Sequence, residues 1–227
     1  MKNEITPVGL DHIAGHLTKR IRGFTFSEVT VEDIGLRHDY TLYSVQTATE
    51  LMMHRLVMIG YTPIIQLIDL PEGVAGLTNL NDSRDVYISL DKHNFETRLY
   101  SPAQLLTIIA HELCHKFLWV HGFKETSSKV EYLTDACVVY VGFGAIMAEG
   151  VERKTYSVQG ATQSVQTHNI GYLTAWQIDY LRRKFGYIRG ATTAPPTESK
   201  PSGCTTYVVI FALIAFALLA IGWLFAA

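Results

Sequence analysis

A mixed α+β domain followed by one hydrophobic C-terminal helix is the fold class that this sequence predicts. Three observations carry it: a helix-like segment and two strand-like segments come first, three helices follow in succession, and the chain closes on a separate apolar run. With 227 residues, 48% of them hydrophobic and 18% charged, the chain can bury one sizeable core with sequence to spare. Its formal net charge of −2 supplies no basic field to steer it onto nucleic acid, which is therefore not an expected partner.

Each element has its own signal. Thr41 to Met58 reads as a helix closed by Gly60, and Pro63 to Leu70 reads as a strand. The turn-rich Asn79-Leu80-Asn81-Asp82-Ser83 precedes a second strand, Asp85 to Leu90. Helices are expected from Pro102 to about Val120, from Ser128 to about Val141 and from Thr174 to Phe185. The first of them opens on Ser101-Pro102-Ala103-Gln104, with a capping serine, a proline at the first helical position and a glutamine placed for a capping box. Tyr140-Val141-Gly142-Phe143-Gly144 reads as close packing at a helix end. The globular domain is expected to occupy residues 1–189.

Residues 190–204 have the Pro, Ser, Thr and Gly content of a linker. Beyond it, residues 205–227 carry no charge, and the run from Tyr207 to Phe225 is long enough for one transmembrane helix, with Tyr207 and Trp223 near its ends. Arg182, Arg183, Lys184, Arg189 and Lys200 all precede this span. By the positive-inside rule, and with no secretory signal at the N-terminus, the expectation is a single-pass membrane protein with a C-terminal anchor and its domain in the cytoplasm. Cys114, Cys137 and Cys204 suggest no disulfide framework; the first two read as buried small hydrophobes and the third as an exposed thiol beside the membrane segment.

Chemistry concentrates in His111-Glu112-Leu113-Cys114-His115, an H-E-x-x-H pattern within the helix that starts at Pro102. Residues four apart on a helix lie about 40° apart around its axis, so both imidazoles can meet one metal ion. Glu112 beside them is the right chemical type to take a proton from water. Leu106, Ile109, Leu113 and Phe117 form an apolar stripe on another side, leaving the motif to face a cleft. A catalytic zinc also needs a third protein ligand and an open position. The next helix offers Glu131 as that ligand and Asp135, one turn later, as the acceptor that orients a ligating histidine.

These residues resemble the gluzincin clan of zinc metallopeptidases, in which an H-E-x-x-H helix is followed by a helix bearing E-x-x-x-D. The likeness covers about Ser101 to Gly144 and is to a minimal, single-domain version of the clan. It implies a zincin-like fold and a Zn²⁺ cofactor held by His111, His115 and Glu131. It also implies Glu112 as the general base and Asp135 as the orienting residue. The strand from Val86 to Leu90 would form the upper rim of the cleft, where an extended peptide could add as a further strand.

The expected activity is peptide-bond hydrolysis at the membrane, on a peptide or protein substrate. Such chemistry needs a hydrogen-bond donor for the oxygen that gains charge, and His168, Tyr132, Tyr140 and His121 are candidates, with His168 placed just before the last helix of the domain. His12, His16 and His54 carry no functional assignment. A zinc-binding adaptor or sensor without turnover is the alternative from another class, and a latent protease released by processing of the linker is a third.

Overall fold

The computed structural model describes residues 5–124, 129–159 and 162–189. It is an α+β arrangement. Helices α1 (Pro7–Arg20), α2 (Val31–Ile34) and α3 (Leu42–Arg55) lead into β1 (Thr62–Ile68), β2 (Gly76–Thr78) and β3 (Asp85–Asp91). The short α4 (Lys92–Glu96) precedes the long α5 (Pro102–Val120), then α6 (Lys129–Val138), a π-helical turn (Val139–Phe143) and α7 (Gly144–Gly150). A hairpin of β4 (Glu152–Gln159) and β5 (Thr162–Asn169) and a last helix, α8 (Ala175–Lys184), complete the described domain. The expected linker 190–204 and membrane helix 205–227 lie outside the described residues.

The helix starts are specified as the sequence suggested. Thr41 caps α3, and at α5 the Ser101 hydroxyl accepts from the Gln104 N–H at 3.2 Å while Gln104 accepts from the Ser101 N–H at 3.0 Å. Two helix ends differ. Helix α3 stops at Arg55, three residues before Met58, and Gly60 belongs to the turn that follows it. The helix expected to end at Val141 passes instead through the π turn and continues to Gly150. Strand β2 and the β4–β5 hairpin carry no clear sequence signal, one for being three residues long and the other for being almost wholly polar.

The main sheet has the order β1-β3-β2, with β1 parallel and β2 antiparallel to β3. This corrects the expectation for Val86 to Leu90. That strand is central and has both edges occupied, so it cannot accept a further strand; the rim is β2. The outer edge of β1 is itself covered, because the Gln46 amide of α3 donates to the Pro63 carbonyl at 2.7 Å and accepts from the Ile65 N–H at 3.1 Å.

Helix α5 is the axis of the core. An apolar stripe on one side was expected, but the helix is buried nearly all round from Pro102 to Leu118, with only His111 and His115 half-buried. Leu105, Leu106, Ile109, Leu113 and Phe117 are each 0% exposed, and burials of this size contribute about 1.5–3 kcal/mol apiece. Packing against α6, α7 and β2 accounts for the enclosure. Cys114 and Cys137 are buried free thiols, as expected. The Gly142 turn packs closely, its carbonyl accepting from the Val29 N–H at 2.8 Å. Among the described residues one helical stretch, Val130–Gly150, is long and apolar enough to cross a membrane, and 72% of its apolar window is buried inside the domain.

Candidate metal centre

The two histidines of α5 come together because four residues on a helix bring side chains to one face. Their Nε2 atoms are 2.9 Å apart. From α6, Glu131 sets its Oε2 3.1 Å from His111 Nε2 and 3.4 Å from His115 Nε2. Among the described residues these three form the group able to hold a metal ion. Ligands 2.0–2.1 Å from a tetrahedral ion would stand about 3.3 Å apart, close to the edges of this triangle.

The proton positions fit a cation as well as the distances do. His111 donates from Nδ1 to Asp135 Oδ1 at 2.7 Å. The Thr134 hydroxyl gives its proton to the Val130 carbonyl at 2.8 Å, so at 3.1 Å it accepts from His115 Nδ1. Both imidazoles are thereby held as Nδ1–H tautomers, with their Nε2 lone pairs facing each other and the Glu131 carboxylate. That arrangement is repulsive unless a proton or a cation sits between them. Without a metal a proton takes the place: burial opposes charge on His111, but Asp135 and Glu131 outweigh it and bring the imidazole up to about 10. The same contacts with His111 and His115 hold Glu131 far below its ordinary value.

Asp135 is fully buried and completes its set of partners from a distant segment. Its Oδ2 accepts the N–H groups of Tyr172 at 2.5 Å and Leu173 at 2.9 Å. Gly171 makes this contact possible: it adopts a φ of +102°, and a Cβ there would stand 3.0 Å from Asp135 Oδ2. Asp135, expected from the sequence to orient a histidine, lies in hydrogen-bond contact with His111. Thr134, Gly171 and Tyr172 went unassigned; only the threonine carried a usable signal, one residue from Asp135 and three from Glu131.

These groups line a cleft of about 960 Å³ between two lips, residues 73–80 and residues 170–172, with His111, Glu112, His115 and Glu131 in its wall. Glu112 is buried beneath β2, where a Cβ on Gly76 would lie 2.7 Å from Ile108 Cγ2 and 3.0 Å from Glu112 Oε1. Burial raises the Glu112 carboxyl above its ordinary value, with His111 and His115 pulling it partly back. The far end of the β2 lip is fixed by Lys116, itself fully buried, whose Nζ donates to the Asn81 carbonyl at 2.6 Å. Asn79 ties that turn to β3, accepting from the Tyr87 N–H at 2.8 Å and donating to the Asp85 carbonyl at 3.1 Å.

The other donors weighed from sequence sit elsewhere. Tyr140 donates to the Ile21 carbonyl at 2.9 Å, and His121 ends α5 with its Nδ1 on the Phe117 carbonyl at 2.8 Å. Tyr132 packs its ring 5.7 Å from that of Tyr172. His168 lies in β5, in register with Arg153, not in a loop leading to α8; the cleft is reached by Ile170, Gly171 and Tyr172 beyond it. Burial and the carboxylates of Glu131, Asp135 and Glu112 raise the Tyr172 phenol, which keeps its proton at neutral pH. Comparison with protein families, with curated proteins and with solved structures finds no match to this chain.

Proposed function

We propose that this domain is a zinc-dependent metallopeptidase of zincin-like type, held on a membrane through residues 205–227 with the domain in the cytoplasm. The observation that carries the reading is the pairing of two preset Nε2 donors and Glu131 with a buried carboxylate, Glu112, on the adjoining helical position in one cleft. A zinc ion bound by His111, His115 and Glu131 would supply a Lewis acid for the attacking water and the amide carbonyl.

The chain's own residues account for the rest. Glu112, raised by burial, accepts a proton from the water as it attacks and delivers it to the leaving amine nitrogen. Asp135 and Thr134 keep both imidazoles aimed at one point. An extended peptide would pair with the outer edge of β2, which no strand among the described residues occupies and where Leu77, with Leu80 beyond it, offers exposed apolar side chains to apolar residues.

The test compares the zinc-loaded wild type with Glu112→Gln on a peptide library. The variant keeps about one zinc per chain and loses turnover by at least about 10³-fold. A Glu112→Gln protein that still cleaves overturns the mechanism, and a wild type that binds zinc but cleaves nothing favours a zinc-binding adaptor or sensor.

A further inference from the structure

Lys116 follows His115 on α5 and is 0% exposed, on a helix whose buried positions are mostly apolar. An ammonium is costly to take out of water, and an apolar side chain of the same length would fill this space without that cost. No carboxylate pairs with it among the described residues: Asp82, the nearest in sequence to its partner, is engaged by Trp119 Nε1 at 3.3 Å and by Lys124 Nζ at 3.9 Å. The Lys116 Nζ instead donates to the Asn81 carbonyl at 2.6 Å and approaches Asn81 Oδ1 to 3.4 Å.

The β2 lip thus meets α5 at two places. At one, a Cβ on Gly76 would stand 2.7 Å from Ile108 Cγ2; at the other, Lys116 holds Asn81. Ile108 and Lys116 are about 12 Å apart along the helix, and His111, Glu112 and His115 fall between them in the chain. The helix that carries both histidines therefore also sets where the lip lies at each end. Asn81 passes the hold on, its Oδ1 accepting from the Asn79 amide at 3.0 Å and from the Ser83 N–H at 3.1 Å, while Asn79 accepts from the Tyr87 N–H of β3. Strand β2 itself offers three residues paired to β3 and no strand on its other side among the described residues, too little to fix its own position.

We propose that Lys116 is a positioning residue for the substrate: by holding Asn81 it fixes the outer edge of β2 beside the His-His-Glu group, and so sets how tightly an extended peptide binds while touching neither peptide nor metal. This rests on the peptidase reading above. A peptide long enough to pair with β2 feels the lysine, and a ligand of the metal alone does not.

The test uses the full-length protein loaded with zinc, wild type beside Lys116→Met, with an eight-residue peptide that the wild type cleaves and with acetohydroxamate, which needs only the metal. KM for the peptide is expected to rise about 10-fold with kcat within about threefold, the pattern of lost uniform binding. Zinc content and acetohydroxamate affinity stay within about twofold. Backbone hydrogen exchange across residues 76–83 speeds up about 10-fold, while that of residues 102–113 is unchanged.

An unchanged KM overturns the assignment and leaves the metal centre and Glu112 intact, and unchanged exchange in the lip overturns it as well. Loss of zinc or of acetohydroxamate affinity, or a fall in kcat at constant KM, overturns it by making Lys116 a support of the metal centre. Should Lys116→Met fail to fold, Lys116→Gln, which keeps a shorter donor in the buried site, is judged by the same readings. A wild type that binds zinc but cleaves no peptide removes the peptidase reading and this inference with it.

Discussion

The two walls of the cleft are built by different means. On the helical wall, His111 and His115 of α5 meet Glu131, Thr134 and Asp135 of α6, side chains that helical spacing brings to facing sides of the two helices. On the opposing lips, residues 73–80 and 170–172, position depends on what is missing: no side chain at Gly76, which lets β2 settle over Glu112, and none at Gly171, which lets the backbone turn onto Asp135. The helical wall carries the His-His-Glu group, and the lips bound the approach to it. Helical spacing is a local property, whereas close approach is settled between segments far apart in the chain.

Breaking the one residue that serves both walls has the largest expected effect. Asp135→Ala leaves His111 unoriented and two buried N–H groups unpaired, so zinc affinity should fall by about 10- to 100-fold and the fold should lose roughly 2–5 kcal/mol. Competitive zinc titration and denaturant melts measure the two losses. Unaltered zinc affinity would mean the histidine needs no such partner.

Gly76→Ala tests the lip alone. The added methyl would stand 2.7 Å from Ile108 Cγ2 and 3.0 Å from Glu112 Oε1, so the fold should lose about 1–3 kcal/mol while zinc content holds and turnover falls by about 10- to 100-fold. Equal losses of zinc and turnover would show that the walls are not separable.

Proton competition sharpens the helical wall further. Because His111 in the metal-free fold is raised to about 10, zinc must displace its proton, and zinc affinity should climb about tenfold per pH unit below that value. The sign reverses for the metal-free protein. A raised histidine stabilises the fold fully below the ordinary value of about 6.5 and loses that contribution as pH rises through about 10. A zinc affinity flat between pH 6 and 8 would show that no proton has to leave His111 before zinc binds. Smallest of all, Thr134→Val should cost only a few-fold in zinc affinity, since His115 keeps its place on α5 and loses one neutral hydrogen bond.

The legibility of the molecule follows the same division. The span of α5, its capping box and the spacing of His111, Glu112, His115, Glu131 and Asp135 are periodic, and each could be read from a few neighbouring residues. Strand β2 could not, because three residues with a glycine at the front show no alternation, and its place beside β3 comes from long-range pairing. For the same reason β3 was taken for the rim until the strand order was known. Tyr172 was invisible because its link to Asp135 runs through a backbone N–H, a group every residue but proline carries.

That backbone link also sets an order of events during synthesis. His111, Glu112, His115 and Glu131 have all been made once residue 135 has left the ribosome, yet Asp135 waits for donors 37 and 38 residues further on. At about 5–20 residues per second this is a delay of several seconds, in which a buried carboxylate has one partner in place of three. A nascent or truncated chain that stops before Gly171 therefore carries all three side chains able to hold a metal and lacks the backbone contact to Asp135. The partners that complete the Asp135 hydrogen bonds are thus supplied last, by a stretch of chain outside the His-His-Glu group.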